Sequence, residues 1–151
     1  MHSVRTAKPK APTFRRWPFL AILIAMAPAS AFAKDICVHE LPVGVTYRFT
    51  DVKTLRPGHI IALKGARIFA PTSNAVPVDG TAIMRTDGRV IVGVLVHNMS
   101  PSLSQPSGSF IVSMDTDADL TGTGAMDTDG DFRGDFAVAW TNVDCASVAI
   151  P

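Results

Sequence analysis

The chain has 151 residues, 47% of them hydrophobic and 18% charged, with a formal net charge of +1. The first 33 residues hold five bases and no acid, so residues 34–151 carry thirteen acids against nine bases, a net −4. No basic stripe remains there, which removes the phosphate neutralisation that nucleic-acid binding rests on.

The N-terminal segment reads as a secretory signal. Arg5, Lys8, Lys10, Arg15 and Arg16 precede an apolar run over 18–27, and Ala31-Phe32-Ala33 supplies the small-x-small pattern cleaved by signal peptidase. The run is too short to span a bilayer, which takes roughly 20 apolar residues. Cleavage after Ala33 leaves residues 34–151 as one domain in the periplasm or outside the cell, with no further span. Its two cysteines, Cys37 and Cys145, sit near its two ends. In an exported domain such a pair is expected to form a disulfide, worth about 4–5 kcal/mol in the chain-entropy account.

No stretch of the domain holds a 3.6-residue apolar period. Short runs rich in Val, Ile and Thr recur between Gly, Pro, Asn and Asp, which predicts an all-β fold. Strands are expected near 43–50, 58–63, 66–70, 80–85, 89–97, 109–115, 119–127 and 131–141, with short pieces near 36–40 and 144–149. The expected architecture is a single antiparallel β-sandwich, or a partly closed barrel, with a C-terminal three-stranded meander. Lys64-Gly65 suits a tight hairpin between two apolar runs. Val90–Val96 is apolar on both faces, which predicts a strand covered on both sides. The Ser/Pro-rich segment 98–108 reads as an exposed loop and includes a glycosylation sequon at Asn98-Met99-Ser100.

Residues 114–125 (MDTDADLTGTGA) and 126–137 (MDTDGDFRGDFA) are near copies, identical at seven of twelve positions. Thr86-Asp87-Gly88, Thr116-Asp117-Ala118 and Thr128-Asp129-Gly130 share one turn chemistry, that of a three-residue hairpin loop. The resulting register pairs Met84 with Val90 and Ala82 with Val92. It also pairs Met114 with Leu120, Val112 with Gly122, Met126 with Phe132, Gly122 with Phe136 and Leu120 with Val138. One face then collects Phe110, Val112, Met114, Leu120, Met126, Phe132, Phe136, Val138 and Trp140. Met126, Phe136 and Trp140 form core, or line a ligand cavity if the sheet closes into a barrel.

A second reading of the same residues is a calcium loop. Asp127, Asp129, Asp131 and Asp135 occupy positions 1, 3, 5 and 9, where hard oxygens can wrap one ion. The stretch resembles the DxDxDGxxD loops of integrin-type propeller repeats, departing at position 6, where Phe132 replaces Gly. Val138 at position 12 excludes an EF-hand. The hairpin register opposes this reading, because it carries Asp135 four residues up a strand, roughly 13 Å from Asp131.

His39, His59 and His97 show neither HxH nor HExxH spacing, so a small secreted hydrolase or metal enzyme would have to assemble them in space. No nucleophile elbow, phosphate loop or dinucleotide fingerprint is present. The functional expectation is an exported binding, adhesive or structural module with a protein or cell-surface partner, carrying an exposed apolar patch or a free sheet edge. A calcium-stabilised form of the same module is the alternative.

Overall fold

The computed structural model describes residues 32–69, 74–97 and 109–148; the apolar run read as a secretory signal, the Asn98 sequon and the Ser/Pro-rich segment 98–108 lie outside the described residues. Eight strands follow in order: β1 (Lys34–Leu41), β2 (Val45–Val52), β3 (Ile60–Phe69), β4 (Asn74–Met84), β5 (Val90–Val96), β6 (Phe110–Thr116), β7 (Gly122–Asp127) and β8 (Phe136–Val143). A short 3₁₀ turn, Cys145–Ser147, follows β8. Each strand pairs antiparallel with the next, and β8 pairs back onto β1, closing a barrel. The all-β expectation holds, and the sandwich gives way to a closed barrel. Strand alternation serves both architectures equally; the β1–β8 ladder separates them, and among the described residues it leaves no free sheet edge.

An eight-stranded barrel is just wide enough to be filled by its own side chains. Here Val90, Val92, Val94 and Val96 of β5, Ile36 and Val38 of β1, Tyr47 and Phe49 of β2, and Val138 and Trp140 of β8 all point inward and are buried. Tyr47, Phe49 and Trp140 form an aromatic cluster with ring centroids 5.0–5.9 Å apart. Met126 and Trp140 belong to this core, whereas Phe136 stands exposed where β8 begins. Leu120, in the β6–β7 turn, is fully buried and joins the core from the end of the barrel.

Cys37 and Cys145 are bonded, with Cα atoms 5.2 Å apart across 108 residues of chain. The bridge fastens the 3₁₀ turn after β8 to the outer side of β1. A disulfide places the domain in a non-reducing compartment.

Three expectations are corrected. The proposed hairpin at Lys64-Gly65 is absent, and β3 runs unbroken through both residues. Gly65 pairs with Phe49 on one side and Val78 on the other, and a Cβ there would overlap the Arg48 carbonyl. Its glycine serves close strand approach rather than a turn.

The registers around the repeat also differ. Val112 pairs with Met126 and Met114 with Gly124, while Gly122 pairs with Trp140 and Gly124 with Val138. Both ladders are displaced by four residues from the three-residue-loop expectation. Because four is even, the inward set survives along the strands, and only Phe132 and Phe136 leave it. The β4–β5 register agrees with expectation, Met84 facing Val90 and Ala82 facing Val92.

Finally, β5 is covered on one side only. Ile91 and Leu95 point outward and remain 40% and 37% exposed.

Candidate functional site

Three regions carry chemistry beyond simple packing: the Asp127–Asp135 loop, the outer face of β3–β7, and a buried charge pair inside the barrel.

The loop between β7 and β8 is organised by its acids. Asp127, 6% exposed, accepts from the amides of Asp129 (3.2 Å) and Gly130 (2.7 Å) through Oδ1 and of Phe132 (2.7 Å) through Oδ2. Asp129 caps the Asp131 amide at 3.0 Å, and Asp131 caps that of Arg133 at 2.8 Å. Asp135 turns back to accept from the Thr128 amide at 2.8 Å and its hydroxyl at 2.5 Å. Those two bonds, the hydroxyl first, hold the Asp135 carboxyl below its ordinary value of 3.8.

The extended hairpin expected here is therefore replaced by a wrapped loop. Phe132 adopts φ +62°, between Gly130 at +83° and Gly134 at +70°. The sharp turn forms although position 6 is not glycine, at a backbone cost of about 1 kcal/mol or more. Of the four candidate ligands, Asp127, Asp129 and Asp135 converge, each offering an oxygen within 4.8 Å of the others. Asp131 lies outside this group. Three carboxylates so arranged can supply the hard oxygens a calcium ion takes.

The outer face of β3–β7 is apolar over several strands. Ile60, Ile83 and Ile91 are cross-strand neighbours on β3, β4 and β5, exposed at 69%, 37% and 40%. A row of small residues crosses the strands beside them: Thr81 faces Gly93, Gly93 faces Ser113, and Ser113 faces Ala125. Leu95 and Ile111, themselves paired, flank the row on its other side. Two adjoining depressions that share Ile111 follow this row. The larger, about 440 Å³, is lined by Asp79, Thr81, Gly93 and Leu95 among others. The smaller, about 120 Å³, lies between Ser113 and Ala125 of the sheet and Phe132 and Arg133 of the loop.

Inside the barrel, Glu40 is fully buried and bonds the Arg67 guanidinium at 2.9 Å. Its other oxygen accepts from the Trp140 indole at 3.1 Å. The guanidinium carbon of Arg67 lies 5.6, 5.0 and 5.1 Å from the ring centroids of Tyr47, Phe69 and Phe110. The Tyr47 hydroxyl stands near both charges without hydrogen-bond geometry to either, and burial pushes it far above the usual phenol range. This pair ties β1, β3 and β8 together through the interior. Glu40 and Arg67 share the inward phase of their strands with Val38 and Leu63. A charge in an apolar phase is the signal that could have found them.

The histidines are distributed. His39 faces outward on β1, 3.4 Å from the Thr46 hydroxyl. His59 lies in the β2–β3 connection, and His97 follows β5, 3.4 Å from Asp79. Among the described residues, none of them joins a group of three metal-capable side chains.

Among protein-family models, curated proteins and solved structures, none matches this chain. What fold and site define is a class: a disulfide-closed up-and-down barrel with a packed, mostly apolar interior crossed by one charge pair and an acid-organised loop folded against its outer face.

Proposed function

We propose that the protein is an exported binding module, working in the periplasm or outside the cell by presenting the outer face of its barrel to a protein partner. The observation that carries this reading is the apolar row Ile60–Ile83–Ile91 beside the small-residue trough. Closure removes strand addition at an edge as a way to bind, so face contact is the mode left to a binding barrel. Apolar side chains grouped in this way on a domain surface are characteristic of interaction sites.

Panning the full chain against phage displaying random linear peptides tests it. Selected peptides should bind the wild type at least ~tenfold more tightly than a variant carrying Ile83→Glu and Ile91→Glu. No enrichment, or equal binding to that variant, removes the reading.

The convergence of Asp127, Asp129 and Asp135 favours a second role for the same module: the loop takes calcium, which fixes Phe132 and Arg133 against the sheet. Calcium at 100 times its dissociation constant should stabilise the wild type by about 2.7 kcal/mol. Thermal melts in calcium and in chelator check this. An unchanged wild type, or an equal shift in Asp127→Asn, rejects the calcium role.

A further inference from the structure

We infer that the Cys145–Ser147 turn is a redox-released strap. The Cys37–Cys145 disulfide alone holds it on the barrel, so a dithiol reductant frees the turn and bares the Cys37 thiol on the outer wall of β1 while the barrel stays closed. The strap is independent of the partner-binding face.

The strands that the bridge joins are already joined without it. β1 and β8 pair from Cys37 with Val143 to Leu41 with Ala139. Inside the barrel, Glu40 of β1 accepts from the Trp140 indole of β8 at 3.1 Å. Cys145 follows only two residues after Val143, the ladder partner of Cys37. A crosslink so near an existing pair adds little to closure. It restricts the unfolded chain, so its loss lowers the melting temperature without opening the sheet. What the bridge fixes in the folded state is the turn.

The turn has no other fastening. The Ala146 amide donates to Asp144 Oδ1 at 3.0 Å, and the Ser147 amide and hydroxyl donate to the Asp144 carbonyl at 3.0 and 2.6 Å. The Val148 amide donates to the Cys145 carbonyl at 3.2 Å. All of these bonds close within residues 144–148. Among the described residues, no hydrogen bond joins Cys145–Val148 to another element. None of the three turn residues is buried, so little apolar area resists release once the sulfurs part.

The two sulfurs differ in access. Cys37 is fully buried although it shares the outward phase of β1 with Asp35 and His39, and the turn lies against β1. Cys145 is partly exposed. A reductant thiolate therefore attacks Cys145 Sγ. The S–S bond breaks, and Cys37 leaves as a thiolate and takes a proton from water. The second thiol of the reductant then attacks the reductant's own sulfur in the mixed disulfide. That step releases the Cys145 thiol and closes the reductant's disulfide, so two electrons pass to the protein. The uncovered Cys37 thiol is then open to a mixed disulfide with a partner's cysteine, a state the oxidised barrel denies it.

The test reduces the folded full chain with dithiothreitol, at urea concentrations below its unfolding transition. Free thiols are trapped with iodoacetamide, and mass and hydrogen exchange are read. Local release exposes little surface, so the reduction rate should stay flat as urea rises. Both cysteines should be alkylated. The amides of Ala146–Val148 should lose protection while those of β1 and β8 keep it. A rate that climbs with the full slope of global unfolding would mean that the bridge opens only when the barrel does, and would overturn the strap. Cys145→Ser supplies a second arm: it should fold, melt below the wild type, and have Cys37 alkylated without denaturant. If Cys37 stays unreactive in the folded variant, something other than the bridge holds the turn and the inference is lost. If the variant does not fold, the barrel depends on the bridge, and the inference is equally lost.

Discussion

The two twelve-residue copies begin alike and fold apart. In the first, the turn closes early: Asp117 accepts from the amides of Asp119 and Thr121, and β7 starts at Gly122. In the second, the strand ends at Asp127, which takes three amides, and the chain wraps through Asp135 before β8 begins at Phe136. Yet the sixth residue after each Met has the same backbone: Leu120 at φ +60° and Phe132 at φ +62°. The side chains go opposite ways. Leu120 is fully buried at the barrel end, and Phe132 lies over the outer face. Equal local chemistry therefore sets the left-handed residue. A tight turn accompanies the buried leucine, and a wide loop accompanies the exposed phenylalanine.

The largest expected effect comes from breaking this pair. Leu120→Ala should cost about 3 kcal/mol, because it deletes a buried side chain whose surroundings are fixed by strand ladders. Phe132→Ala should change stability by less than ~0.5 kcal/mol, since an exposed ring contributes little to the core. Chemical denaturation of both variants checks the contrast. Similar costs would mean that Phe132 also packs as core.

The paired acids at the second position of each copy come next. Asp127→Ala strands three loop amides and should cost about 1–2 kcal/mol. Asp115, its counterpart, makes an exposed pair with Arg89 at 2.8 Å. Asp115→Ala should cost below about 1 kcal/mol. Thr123→Asp introduces the acid that the second copy has at Asp135. In the first copy this position is already in β7, directly opposite Asp115. The substitution should therefore destabilise by about 0.5 kcal/mol through like-charge pairing rather than build a second wrapped loop. Retention of the β6–β7 amide shifts in NMR spectra checks that the turn stays tight.

The same contrast separates what could be read from the sequence from what could not. At Thr86-Asp87-Gly88 the left-handed residue is glycine, Gly88 at φ +85°, so turn chemistry and register agreed with the structure. In the repeat, the left-handed residues are a leucine and a phenylalanine, which no turn rule marks. The register expected there fell four residues short for that reason, while the inward faces stayed correct except at Phe132 and Phe136. The disulfide followed from two cysteines at the domain's ends. Barrel closure did not, because a period of two is the same in a sandwich. On the candidate site, the four acids were legible as a group, but only the wrapped loop shows that Asp127, Asp129 and Asp135 converge without Asp131. Glu40 and Arg67 went unnoticed because they are 27 residues apart and meet only through the ladders of β1, β2 and β3.

The smallest expected effect is electrostatic and belongs to the second copy alone. Asp135 is fully exposed, yet its carboxyl is held below 3.8 by the Thr128 hydroxyl and amide. A carboxyl whose folded value is lowered stabilises the fold above the unfolded value and loses that contribution as pH falls through the lowered one. The Thr128 contact should therefore loosen below about pH 4, before the barrel itself unfolds, because Thr128 is held by a carboxylate while the Asp135 amide keeps its backbone bond to the Met126 carbonyl. Hydrogen exchange at the Thr128 amide, followed from pH 5 downward, should accelerate in the wild type beyond the intrinsic trend. In Asp135→Asn the acceleration should vanish. The amides of Asp117 and Leu120 in the first copy serve as the internal reference, since backbone carbonyls, of Thr121 and Asp117, accept them. If all of these amides loosened together, the acid transition would belong to the whole barrel, and the wrapped loop would not be the separately closing element that its hydrogen bonds describe.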